Sequence, residues 1–230
     1  MTVRRARRKR LHQDLVRPYT CRGATRPAMF NTSSLQIEQA QPLDAGTIAS
    51  IHAQSWRSNY RGALSDSFLD GDVVRNRLDL WQKRLNAPTD DQVVLVARQT
   101  PGAQPADTGL ANVIGFACGY FRDNQQWGTL LDNLHVLPSA QRQGIGAALL
   151  GAVAGWSRSR DPRVGLYLWV LDQNQKARQF YERFHAQDVG GDVWDPPGGG
   201  SAPRRRYVWR DLERLCTATQ SDGLFTRVRG

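Results

Sequence analysis

Residues 35–41 alternate apolar and polar positions, which predicts a short strand. Behind it Asp44 can cap a helix running through Ile48, Ile51, His52 and Ser55, closed by the block 56–62. A second helical stretch is expected over 65–85, with Leu69, Val73, Leu78 and Trp81 as core positions. The apolar run 93–97 reads as a buried strand, and the turn-rich segment 99–109 should lead antiparallel into a strand over 113–121. Residues 131–137 predict a further strand. From Gly144 to about Ser157, Ile145, Leu149, Ala152 and Trp156 fall near one helical stripe, the pattern of a helix covering a sheet face. Residues 164–171 are almost continuously apolar, as suits a strand buried on both sides. A helix then opens at Asn174, and 189–194 and 205–211 read as a closing strand pair around a loop of glycines and prolines that includes Gly198, Gly199 and Gly200. The order β-α-α-β-β-β-α-β-α-β-β implies an α/β fold, a mixed sheet with helices on both faces.

Chemistry concentrates where the strand ending at Leu137-Pro138 meets the next helix. Gln141, Gly144 and Gly146 form Q-x-x-G-x-G at that junction. Closely spaced glycines let the backbone approach a ligand, and a helix start leaves N–H groups unpaired where the macrodipole favours negative charge. A pyrophosphate is the anion such a loop suits. The spacing excludes two cofactor classes: a dinucleotide fingerprint starting at Gly144 would need Gly or Ala at Leu149, and no Gly-Lys-Ser/Thr triplet of a nucleoside-triphosphate loop occurs.

Three blocks in order carry a resemblance. The loop at 141–146, the alternating strand 165–171 followed by Asn174, Ala177, Phe180 and Tyr181 in the order N-x-x-A-x-x-F-Y-E, and Trp56, Tyr60 and Gly62 upstream together resemble the Gcn5-related N-acetyltransferases, in their bacterial small-molecule branch. The likeness spans roughly 35–213. It implies a mostly antiparallel mixed sheet with a splayed central parallel pair, and direct transfer of an acetyl group from acetyl-CoA, the co-substrate, to a primary amine of a small or amino-acid-like acceptor.

Carried over residue by residue, the likeness implies that the main chain of Leu134, His135 and Val136 holds the pantetheine arm and supplies an oxyanion donor. Gln141, Arg142, Gln143, Gly144, Ile145, Gly146 and Ala147 would wrap the pyrophosphate, with Asn174 also in the cofactor site. Tyr181 matches the acid that protonates the departing thiolate; as a helix aromatic it could equally serve packing alone. The base stays open among Asp132, His135 and a relayed water. Strand alternation sends Asp132 and His135 to opposite sheet faces, so at most one would face the acceptor. Where several family members carry a glutamate on the second cofactor strand, this chain has Trp169, which speaks against a protein N-terminal acetyltransferase. Trp56, Tyr60 and Trp127 are candidates for an aromatic acceptor wall able to hold a cation, core packing being the alternative for Trp56.

Charge changes the picture mainly at the N-terminus. Of the net +10, residues 1–28 carry about +8, from nine arginines and lysines against Asp14, which leaves the rest close to neutral. Nucleic-acid contact is therefore expected only through this arm, and a toxin-like acetylation of aminoacyl-tRNA would want a broader basic surface on the domain. The expected organisation is a basic, unpacked arm over 1–34 with Met29 as an alternative start, a catalytic domain over 35–213 and a C-terminal tail over 214–230. A processed targeting peptide is the other reading of the arm. Cys21, Cys118 and Cys216 are too few and too scattered for a disulfide framework or a zinc knuckle, so no metal is expected. No apolar run approaches the roughly 20 residues of a membrane span. A cytoplasmic enzyme without membrane partners, monomeric or homodimeric, is the expectation.

Overall fold

The computed structural model describes residues 35–99, 112–196, 200–222 and 226–228. The expected arm at 1–34, residues 100–109 of the turn-rich segment expected over 99–109, and the loop glycines Gly198 and Gly199 lie outside the described residues. The strands are β1 (Leu35–Gln39), β2 (Gln92–Gln99), β3 (Asn112–Asn124), β4 (Gly128–Val136), β5 (Leu166–Leu171), β6 (Gln187–Trp194), β7 (Ala202–Trp209) and β8 (Thr226–Val228). Among the described residues they form one sheet in the order β6-β7-β5-β4-β3-β2-β1-β8. Its neighbours pair antiparallel except β4 with β5 and β1 with β8.

The helices are α1 (Ala45–Asn59), α2 (Asp66–Asp70), α3 (Val73–Asn86), α4 (Ile145–Arg160), α5 (Gln175–Arg183) and α6 (Leu212–Asp222). On one face Ile48 and Ile51 of α1 and Trp81 and Leu85 of α3 close over Val94, Val96, Phe116 and Cys118. On the other, Leu149, Leu150 and Val153 of α4 share a core with Leu131, Leu166, Leu168, Tyr181 and Trp209. No helix among the described residues is long and apolar enough to cross a membrane.

Four expectations need correcting. The stretch 65–85 is two helices: at Gly71 a Cβ would sit 2.8 Å from the Ser67 carbonyl, and the chain breaks there. Asp44 does not cap α1; its carboxylate accepts the Gln41 N–H at 2.8 Å and pairs with Arg98 at 2.8 Å, tying the short 3-10 turn Pro42–Asp44 to β2. Where a tail was expected over 214–230, the described residues 214–222 belong to α6, which lies on α4 with Leu215 and Thr219 buried, and 226–228 form β8, which extends the sheet beyond β1. Alternation along β4 is broken as well: Cys118 faces Asn133 while Gly119 faces Leu131, leaving Asp132 as the extra residue of a β-bulge.

Candidate active site

β4 and β5 pair only at Thr129 with Leu166 and Leu130 with Tyr167. Beyond that point β4 stays on β3 and β5 on β7, so the two central strands diverge and β4 keeps one bare edge. The ladder decides which groups line that edge. The Leu137 N–H bonds the Ile114 carbonyl of β3, and in an antiparallel pair such bonds recur every second residue. His135 therefore turns its main chain to β3, and Leu134 and Val136 turn theirs to the gap. This corrects the expectation that all three supply the edge.

Just past β4 the chain builds a cradle of main-chain N–H groups. Arg142 (φ 62°) and Gly144 (φ 78°) both lie in the left-handed region, and the first helical bond of α4 runs from Ala148 to Gly144. Consequently the N–H groups of Arg142, Gln143, Gly144, Ile145, Gly146 and Ala147 have no protein acceptor among the described residues. Consecutive N–H groups in such a turn form a concavity for phosphate oxygens. Side chains brace it: Gln141 donates to the Val136 carbonyl at 3.3 Å and Gln143 to the Ser139 carbonyl at 3.2 Å. Arg142 stays exposed beside it, and Phe180 of α5 packs against Gly146, where a Cβ would meet its Cζ at 3.4 Å. Asn174 caps α5, its side-chain oxygen accepting the Ala177 N–H at 3.2 Å.

Tyr181, on the α4 side of the sheet, is 9% exposed among Phe180, Tyr207 and Trp209. Its hydroxyl has no hydrogen-bond partner among the described residues, and burial, helped by the nearby Tyr60, raises its pKa. It thus stays protonated at any working pH.

On the opposite face, between α1–α3 and the β6–β7 pair, lies a cavity of about 420 Å³. Trp56 and Tyr60 stack at 5.3 Å on one wall, and Trp194 meets Tyr60 edge-on at 6.3 Å. Asp132 lines the cavity through the bulge, which sends both Asp132 and Asn133 toward α3: Arg84 donates to the Asp132 carboxylate at 2.8 Å and to Asn133 Oδ1 at 3.1 Å. His135 faces α1 on this same side, with Nδ1 2.8 Å from the Ser55 hydroxyl and its ring 4.8 Å from that of His52. The opposite-face expectation for Asp132 and His135 fails because the bulge shifts the alternation by one. Burial, with Arg77 nearby, pushes the His135 imidazole down to about 4, so it is neutral and a weak base at pH 7.

Trp127 is not brought to this wall. It sits at the β3–β4 turn under Arg206 at 5.0 Å and Arg210 at 5.4 Å, outside the cavity lining. Trp169 does line the cavity, its ring between Arg204 at 4.0 Å and Arg206 at 4.2 Å. Arg77, Arg84 and His52 were missed from the sequence. A signal existed, since Arg77 occupies the buried stripe Val73, Arg77, Trp81, Leu85 of α3, where an arginine interrupts an apolar series.

A profile of the Acetyltransferase (GNAT) family matches residues 54–186. The chain is 28% identical over 180 residues to a probable N-acetyltransferase, Rv2775, of Mycobacterium tuberculosis, covering 76% of this chain and 93% of that protein. To the uncharacterized N-acetyltransferase YuaI of Bacillus subtilis it is 27% identical over 186 residues, covering 79% and 96%. In fold it is similar to Arabidopsis thaliana NAA60 solved in complex with acetyl-CoA, at a TM-score of 0.54 and 20% identity, covering 76% of this chain and 98% of that one. With 54–186 spanning the splayed strands, the cradle and α5, the chain belongs to the GNAT family of acetyltransferases.

Proposed function

We propose that the protein transfers an acetyl group from acetyl-CoA to the primary amine of a small, amino-acid-like acceptor. The observation that carries this reading is the continuity between the β4 edge, where the Leu134 and Val136 N–H groups face the gap, and the N–H cradle at 142–147. A thioester arm lying along the edge would place its pyrophosphate on the cradle, with Arg142 adding a charge-assisted contact.

Attack by the amine builds negative charge on the thioester oxygen, and a Leu134 or Val136 N–H facing the gap is positioned to receive it. The amine must shed a proton to attack, its ordinary pKa lying near 10. Asp132, which lines the cavity and binds Arg84 through Oδ2 alone, is the carboxylate suited to accept it. On collapse the carbon–sulfur bond breaks, and Tyr181 donates its hydroxyl proton to the developing thiolate.

The test is calorimetry of acetyl-CoA with the native chain and with a folded Gly144→Glu variant, paired with a thiol-release screen over amines. Loss of cofactor binding in the variant and thiol release with amines in the native chain are expected. Unchanged affinity in folded Gly144→Glu, or no amine supporting thiol release, would overturn the reading.

A further inference from the structure

At the α1–α3 end of the acceptor cavity two donors are left without acceptors. Arg77 is 8% exposed, and among the described residues it makes no ion pair. Its Nε and Nη2 both turn to Asn76 Oδ1, and Nη1 is left over. The nearest carboxylate of the cavity is already committed, because Asp132 binds Arg84 rather than Arg77. Beside it, His52 Nδ1 accepts the Trp81 indole N–H at 3.1 Å, which fixes the proton on Nε2. That Nε2–H is buried with no partner. Burial keeps the His52 ring neutral, so the arrangement persists at neutral pH. Both groups rest on one indole: the Arg77 guanidinium lies 4.1 Å over Trp56, and the His52 ring meets Trp56 edge-on at 4.9 Å.

A buried guanidinium with a spare N–H edge next to a buried, unpaired imidazole N–H offers donors only and carries positive charge. Such a subsite receives an anion, and a planar carboxylate matches the guanidinium edge. Resting on the acetyl-transfer reading above, we infer that the acceptor is a carboxylate-bearing amine, its carboxylate seated on the free edge of Arg77 beside His52 and its amine directed along the cavity to Asp132. Trp56 and Tyr60 then flank the carbon skeleton between the two charged ends. A cavity of about 420 Å³ holds an amino acid with an apolar side chain. Simple amines and polyamines lack the group this end is built to pair.

Matched probes isolate the carboxylate. L-phenylalanine and L-methionine, each against its own amide, are titrated by calorimetry into the full chain with CoA present, and the same pairs are compared as acceptors by thiol release. At least one acid should bind about tenfold or more tightly than its amide, with kcat/KM following. In Arg77→Gln the acid-to-amide ratio should collapse toward one, while Arg77→Lys, which keeps charge without the planar edge, should retain part of it; a melting curve certifies each variant as folded. The inference is overturned if amides or spermidine are preferred in the native chain, if no acid binds, or if the acid preference survives both substitutions. Thiol release from amides alone sinks this inference and spares acetyl transfer. Arg77-dependent acid binding with no thiol release from any amine does the reverse.

Discussion

Arg84 of α3 holds both residues of the β4 bulge, Asp132 at 2.8 Å and Asn133 at 3.1 Å, and so fixes one carboxylate beside the point where β4 and β5 part. If Asp132 accepts the amine proton, Asp132→Asn keeps the shape and the contact to Arg84 but removes the base. The expected outcome is a fall in kcat/KM of about 10²- to 10⁴-fold with acetyl-CoA affinity unchanged. Thiol-release kinetics beside calorimetry checks this. A variant that turns over at the native rate would move the base to a relayed water.

Tyr181→Phe preserves the ring contacts with Phe180, Tyr207 and Trp209 and removes only the hydroxyl. Because that hydroxyl has no protein partner, stability should change little while kcat falls by about 10- to 100-fold or more. Single-turnover acetyl transfer separates this effect from product release. An unchanged single-turnover rate would leave Tyr181 a packing residue.

The buried histidines predict acid sensitivity. His135 titrates near its ordinary 6.5 when unfolded and at about 4 when folded, so between these values the unfolded chain binds more protons. Its contribution is fully present above about pH 6.5 and is lost as pH falls toward 4, a change on the order of 3 kcal/mol. His52, also held neutral by burial, adds in the same direction. Denaturant unfolding at pH 7 and pH 5 should show this loss, and His135→Gln should shrink the difference between the two. Equal pH dependence in that variant would assign the sensitivity elsewhere.

The cradle could be read from sequence because its conformation is local: Gly144 reaches a φ of 78° without strain, and the helix start that follows fixes which N–H groups are free. Strand and helix order was legible for a similar reason, each element carrying its own period. The acceptor end was not. Arg77 and Arg84 reach the cavity only because α3 folds back over the sheet, and a bulge at Asp132 cannot be seen in a run that alternates well on paper. Trp127 was drawn into the wall by residue type alone, although the β3–β4 turn places it among arginines. The last helix was missed because nothing in 212–222 announces its partner on α4.

That partner is Gly151. In α4 a Cβ at this position would lie 3.1 Å from Thr219 Cβ and closer still to its hydroxyl, which bonds the Leu215 and Cys216 carbonyls at 3.0 Å. Two effects of Gly151→Ala therefore compete. Helix propensity favours alanine by about 1 kcal/mol, and overpacking against a buried neighbour costs about 1–3 kcal/mol. The second should win, because relief requires either turning Thr219 away from the Leu215 and Cys216 carbonyls or shifting α6, whose Leu212 and Leu215 sit in the core. Denaturant melts should show Gly151→Ala destabilised, and Thr219→Ala added to it should restore part of the loss, giving a non-additive pair. A Gly151→Ala protein more stable than the native one would mean that α6 does not press on α4 at this point.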